Sequence, residues 1–321
     1  MFDVLLSILL GAHLICVNIA SAGPLIAVWL ERPSAFGDRL ADTVAKRVLW
    51  YAVVLLLVGG LLGLVIGFLL WSPQYAETLA RFHSRVYFGV WELVFSLVLM
   101  LLHACWWTRS PQQRTWQRCL RSLLPLLSAT NLLYHFPPLF VMIADAVRNE
   151  AGVTDPITSA EFRQRLASGH VLPVTLHFVL ASVAMVGILL IWFAWRRGDA
   201  QPDTGRLAKW GARVALVPSL LQVPAGIWLA MTLPATTQQR LFGGDIVGTS
   251  ALCLSLMLVF ALLHSLASVA MGETSRPNQL RCLTLAVCVV VLMTYTLQRT
   301  TSPRDATTRS PFTPELVSHD C

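Results

Sequence analysis

Eight mainly apolar runs, each about twenty residues or longer, follow one another along this chain. They lie at roughly 3–30, 48–72, 86–107, 120–145, 169–195, 210–233, 245–271 and 280–298. Each is long enough to cross a bilayer as a helix. In hydrocarbon the backbone N–H and C=O groups find no water, so a spanning segment must satisfy them internally, and a helix does this. The pattern therefore predicts an all-α, polytopic transmembrane bundle of about eight helices over residues 1–298. Composition agrees, with 55% hydrophobic and only 13% charged residues, where a soluble domain carries about a quarter charged. The net charge of +7 needs no nucleic acid to explain it, because loops of membrane proteins collect Lys and Arg. The surrounding partner is lipid.

The first run contains "IASAG", which looks faintly like a signal-peptide cleavage site. It has no basic segment before it and stays apolar through Trp29, so it is read as a span. Alternate loops carry 15 of the 24 basic residues, among them Arg32, Arg39, Arg114, Arg206 and Arg276. By the positive-inside rule both termini fall outside. The long outer loop 148–170 is expected to hold a short helix, "SAEFRQRLA", capped by Thr158 or Ser159. Residues 299–321, rich in Ser, Thr and Pro, are expected to be a disordered extension. No internal repeat or second folded domain is evident. Seven cysteines form no CxxC or CxxCH motif, which removes the signatures of c-type haem attachment and paired-cysteine zinc sites.

Polar side chains inside the spans are few, and each costs free energy unless something binds it. They are His13 and Asn18 in the first span, Glu92 in the third, and Asn131, Tyr134 and His135 in the fourth. His177 follows in the fifth, with His170 at its mouth, then Gln222 in the sixth and His264 in the seventh. Counting at 1.5 Å per residue places His13, Glu92, His135 and His177 in one layer ~9–15 Å below the outer face. Four such residues from four helices suggest one site or two adjacent ones. Neutral imidazole is the usual protein ligand of haem iron, and haem fits between helices that present histidines from facing walls. Each histidine also has a structural reading, a hydrogen bond to a backbone carbonyl or a neighbouring helix. That reading is favoured for His83, His103 and His264. For His135 it is as good as the ligand reading, because the "HFPP" after it is expected to break the helix and free carbonyls. Gln222, between Pro218 and Pro224, is expected to mark a kink.

Several strings resemble subunit I of cytochrome bd oxidase. "GAHLICVNIASAGPLIAVWLE" is similar to that family's first helix and "GGLLGLVIGFLLW" to its second. "WELVFSLVLMLLHACWW" resembles the third, "LSATNLLYHFPPLF" the Ser-Asn-Leu stretch of the fourth, and "LHFVLASVAMVGILLIWFAW" the fifth. The resemblance covers roughly residues 5–235. It implies that His13 ligates a haem of the oxygen-site pair, that His177 ligates the low-spin haem b, and that Glu92 belongs to the haem environment or proton path. The large outer loop that carries the family's quinol site is missing, as are its methionine-arginine pair in helix 7 and its ninth helix. His135 then becomes a replacement axial ligand, with bis-histidine ligation of His177 through either His135 or His13.

The reading that follows is a subunit binding haem b, with haem d less favoured, in a bd-like or other respiratory electron-transfer complex of the bacterial inner membrane. It passes electrons between the membrane and an outer-face partner, such as a c-type cytochrome or another redox subunit. A second membrane subunit would stand in for the missing helix. His170 and outer-loop arginines would contact haem propionates, and Asn131 would line the site. Two alternatives stay open: a haem-free structural or assembly subunit, and a proton or small-molecule transporter using Glu92 and the histidines as a relay.

Overall fold

The computed structural model describes residues 2–34, 38–109, 115–167, 169–198 and 203–301. Eight helices are long and apolar enough to span a membrane. They are α1 (Phe2–Ser34), α2 (Arg39–Leu69), α4 (His83–Arg109), α5 (Thr115–Asn149), α7 (Val171–Arg197), α8 (Thr204–Thr232), α10 (Ile246–Met271) and α11 (Arg276–Thr301). Three short helices, α3 (Pro73–Arg81), α6 (Ser159–Ala167) and α9 (Ala235–Gln239), join spans on the side that carries both described ends. The chain is an integral membrane protein with an all-helical fold. Lipid-facing surfaces are apolar, as Leu64, Phe68, Val94, Met257 and Phe260 illustrate.

α6 occupies the expected nine residues, and Thr158 caps it by accepting the Glu161 N–H at 3.1 Å. α2 begins nine residues earlier than its apolar run, because Asp38 caps the Ala41 N–H at 3.1 Å and an Asp42–Lys46 pair supports the first turns. α3 was not expected; Ser72 caps it and Pro73 pre-sets its first turn. The expected break at "HFPP" does not occur. Pro137 and Pro138 lie inside a continuous α5, both buried against neighbouring helices, and lateral packing tolerates the lost backbone bonds. α8 likewise runs unbroken through Pro218 and Pro224. The proposed tail falls mostly outside the described residues, and α11 continues through Thr301.

The spans form two rings of four. α1 packs on α2, α2 on α4, α4 on α5, and α5 back on α1; α7, α8, α10 and α11 close a second ring in the same order. The rings meet where α1 touches α7 and α11, and where α5 touches α7. Chain order within the rings is identical, down to the short helix after the second span (α3 in one, α9 in the other). Equivalent positions also match. Ser182 Oγ donates to Asn18 Oδ1 across the joint at 2.9 Å, and these residues are 164 apart in sequence. At the same separation His13 corresponds to His177 and Gly23 to Gly187. One residue less relates Val48, Ala52, Gly59 and Gly63 of α2 to Gly211, Ala215, Gln222 and Gly226 of α8. The chain thus contains an internal repeat that its residue pattern alone did not show, since only a few positions keep their chemistry.

Those positions are where backbones meet. A Cβ on Gly187 would lie 2.4 Å from the Ala215 nitrogen and 2.6 Å from the Gly211 carbonyl oxygen, and one on Gly211 would lie 2.7 Å from the Gly187 oxygen. Gly23 meets Ala52 in the first ring, where its Cβ would sit 2.9 Å away. Small residues let helices in lipid approach this closely, where packing rather than hydrophobic driving force holds them together. Replacing Gly211 by Val should therefore lower the thermal unfolding midpoint in detergent by several degrees, an overpacking cost of at least ~1–3 kcal/mol. Gly60→Ala, where a Cβ meets nothing within 4 Å, should leave the midpoint unchanged. Equal effects of the two substitutions would refute the close-contact account.

Candidate haem-ligand sites and the buried polar network

His13 projects from α1 toward the small-residue face of α2. Its Nδ1 lies 2.9 Å from the Gly59 carbonyl. A carbonyl only accepts, so Nδ1 carries the hydrogen and Nε2 keeps its lone pair. A Cβ on Gly63 would lie 3.0 Å from the ring's Cε1, so this glycine keeps the space beside the imidazole open. His177 occupies the equivalent place against α8. Its Nε2 is 3.4 Å from the Gln222 amide nitrogen, Gly226 flanks the ring at 3.7 Å, and its Nδ1 is buried with no hydrogen-bond partner among the described residues. Gln222, between Pro218 and Pro224, is thus a partner of His177. Both histidines sit five residues toward the same end from the Asn18–Ser182 contact, which places them level.

Glu92, Asn131 and His135 lie between α4 and α5. The Asn131 amide donates to the Glu92 carbonyl at 2.9 Å and to Ser96 Oγ at 2.8 Å, and Ser128 Oγ donates to the Ser96 carbonyl at 3.1 Å. Asn131 therefore ties two helices through its amide. Glu92 and His135 each stand one turn from this contact, toward the terminal side. The Glu92 carboxylate has no ion pair or hydrogen bond among the described residues. The His135 ring meets Phe88 and Tyr134 edge-on at 5.5 and 5.0 Å. It lines a cavity of about 250 Å³ with Arg85, Phe88, Tyr134, Phe162 and Arg163. His170 starts α7, 3.9 Å from Asp145.

These groups do not share one contact. His13 faces α2, His177 faces α8, and His135 faces the α4–α6 groove. Nor do all four share one level. Glu31 of α1 touches both α4 and α5, which gives a common ruler: His13 stands ~27 Å along its helix from it, His135 ~21 Å from Arg121, and Glu92 ~17 Å from His103. His13, His135 and Glu92 therefore lie at successive levels about one turn apart.

A third group, absent from the expected site, is the most deeply buried. Glu31 Oε1 lies 2.7 Å from His103 Nε2, and Arg121 donates to Glu31 Oε2 at 3.1 Å, with Ser122 Oγ at 3.3 Å. His103 is 0% and Glu31 7% exposed. His103 Nδ1 also lies 3.0 Å from the Arg121 carbonyl. With Nδ1 donating to a carbonyl, Nε2 faces the carboxylate and forms an ion pair with it when the ring is protonated. Only the acidic end of the first run hinted at this; nothing in sequence linked residues 31, 103 and 121. Removing one partner strands the others in low dielectric, so Glu31→Ala should cost ~3–5 kcal/mol, read as a fall in the thermal midpoint, with Glu31→Gln falling less. An unchanged midpoint in both would overturn the network's structural role.

The terminal side is closed by an ionic clamp. The buried Arg81 guanidinium binds Glu150, Glu161 (2.6 Å) and the Asp155 carbonyl (3.0 Å), and Arg165 binds Glu150 and Glu161 (2.7 Å). Partial burial alone would raise the Glu150 pKa, but hydrogen bonds from Arg165 and Arg81 outweigh it and hold the carboxyl below its ordinary 4.5. A depressed folded pKa contributes stability that is complete above 4.5 and lost as pH falls through the lower folded value. Protection of the amides in 150–167, corrected for the slower intrinsic exchange at low pH, should accordingly fall on acidification below pH 4.5 in the native chain. Glu150→Gln should exchange faster at neutral pH and respond less to acid; an identical acid response in both would exclude Glu150 as the cause.

Among the described residues no group of three or more His, Cys, Asp or Glu is placed to hold a metal ion. Haem iron takes its protein ligands one or two at a time. The residues present fit that demand. A ligating histidine needs one uncommitted ring nitrogen and a partner that orients the other. His13 meets it with Nε2 free and Nδ1 on the Gly59 carbonyl, while at His177 the Gln222 amide nitrogen lies on Nε2 and leaves the hydrogen on the unpartnered Nδ1, so Nε2 would ligate by displacing that amide; a glycine lies beside each ring.

No family model matches the chain, and no curated protein matches it. Among solved structures it is similar to a chain of bd oxidase from Geobacillus thermodenitrificans, with a TM-score of 0.71, over 92% of this chain and 86% of that one, at 14% sequence identity. The chain therefore has the fold of a divergent bd oxidase subunit, the fold its helix strings resemble.

Proposed function

We propose that the protein is a haem-b-binding membrane subunit of a bd-like respiratory complex, moving electrons between the membrane and a redox partner on its terminal side. The observation that carries this reading is the pair of level, repeat-related histidines, each facing a glycine across a tight helix pair within a bd oxidase-like fold. When bound, haem supplies one-electron redox chemistry. His13 and His177 would each hold a haem iron as a neutral imidazole, His13 oriented by the Gly59 carbonyl of the next helix. His135 is a further ligand candidate, facing a cavity whose Arg85 and Arg163 suit propionate carboxylates. Glu92, one turn along α4 from the cavity-lining Phe88, would be the acid that accepts or releases a proton. Asn131 holds the Glu92 backbone in place, and His170 marks the mouth of α7. A c-type cytochrome is the partner chemistry favoured at the terminal side, and a companion membrane subunit would share the bundle's apolar flank. In this reading that side faces outward from a bacterial inner membrane.

The test is a reduced-minus-oxidised spectrum with pyridine haemochrome analysis on the protein purified from a haem-replete host, repeated on His13→Ala, His177→Ala and His135→Ala. A b-type spectrum that loses most of its intensity in His13→Ala or His177→Ala is expected. A colourless native protein would sink the redox reading and leave a structural subunit. A coloured protein whose spectrum survives all three substitutions would place the iron elsewhere.

A further inference from the structure

Three arginines and three aromatic rings enclose a cavity at the other end of the bundle from both described ends. Arg47 and Tyr51 come from α2; Trp192, Phe193, Arg196 and Arg197 come from the last turns of α7. The cavity measures about 330 Å³. The rings form a connected floor: Tyr51 meets Trp192 at 5.6 Å and Phe193 at 5.2 Å, and Trp192 meets Phe193 at 5.5 Å, all between centroids. The Arg196 guanidinium stands over Trp192 at 5.8 Å.

Its charge is unbalanced. Neighbouring basic groups have acidic partners, Lys46 with Asp42 and Arg206 with Asp38 and Asp203. Arg47, Arg196 and Arg197 have no ion pair or hydrogen bond among the described residues. Arg47 and Arg197 stand close enough to repel each other, an effect Asp203 opposes from further along the chain. Among the described residues no carboxylate lines the cavity. Like charges gathered around a hollow are favourable only when an anion fills it, and guanidinium forks match phosphate oxygens.

Position identifies the source of that anion. Arg196 and Arg197 end the span, where hydrocarbon gives way to headgroups, and Tyr and Trp are the residues of that boundary. Below the cavity the α2 face continues into exposed Val54, Leu57, Val58 and Leu61, a strip that suits an acyl chain. We infer that this cavity binds the phosphate headgroup of an anionic phospholipid, with Arg47, Arg196 and Arg197 on the phosphate, the aromatic floor under the glycerol and an acyl chain along α2. Basic pockets between spans are a recurrent way of holding such headgroups.

The experiment uses the full chain in neutral detergent. Retention of phosphatidylglycerol and phosphatidylcholine is measured by native mass spectrometry, with inorganic phosphate as competitor. The native protein is expected to retain phosphatidylglycerol preferentially, and Arg47→Gln/Arg197→Gln to weaken that retention at least ~10-fold without changing phosphatidylcholine binding. Arg47→Lys/Arg197→Lys should restore part of the preference. Arg213→Gln, an exposed arginine on the same side, should bind like the native protein. Equal retention of the two lipids, an unchanged preference in the double variant, or an equal loss in Arg213→Gln would each overturn the assignment. So would full displacement by millimolar phosphate, which would mark the cavity as a site for the free ion. The readout does not depend on haem, so its failure is distinguishable from failure of the redox reading.

Discussion

The contact between Gly187 and Gly211 sets the geometry of this bundle. Two helix backbones approach until a single methyl group would collide with main-chain atoms, and in lipid such proximity supplies the dispersion contacts that water would otherwise drive. α1 and α2 meet in the same manner at Gly23 and Ala52. Each tight pair fixes the rotation of its helices, and that rotation aims His13 at α2 and His177 at α8. The imidazoles follow from the crossing. Their surroundings are the flanks of a packed joint, held rigid by the residues that close it.

Polar groups in the bundle then divide by what satisfies them. Asn131, Ser96, Asn18 and Ser182 bond to one another or to backbone, and serve as cross-helix ties. Glu31, Arg121 and His103 form a network that pairs ionisable groups inside the protein. The ring nitrogens of His13 and His177 are only partly used, which is the arrangement that leaves room for a ligand.

Most of the fold was legible because the hydrocarbon constraint acts on composition over whole segments. Eight apolar runs became eight helices, and Thr158 placed α6 to the residue. Errors gathered where tertiary packing overrides local propensity. Pro137 and Pro138 should end a helix in water, yet buried neighbours carry α5 across them. Asp38 and Asp42 draw α2 outward beyond its apolar core. Linear depth counting put four polar residues in one layer, whereas counting from the shared Glu31 contact spreads His13, His135 and Glu92 over successive turns, because the helices are offset along their axes. The Glu31–His103–Arg121 network left almost no trace in sequence, since its members come from three helices. The repeat was hidden for another reason: it is kept at a handful of positions that touch, while lipid-facing residues drift freely among apolar types.

The difference between Gly59 and Gln222 gives the two halves of the chain unequal freedom to change. His13 leans on a peptide carbonyl, which every amino acid at position 59 would still present, although a larger side chain would crowd Cys16 and Val17. His177 leans on a side-chain amide that one nucleotide change can remove or charge. The first half is anchored to the main chain and resists adjustment. The second is adjustable one residue at a time, so a substitution at position 222 reaches His177 directly, whereas one at position 59 leaves the partner of His13 in place.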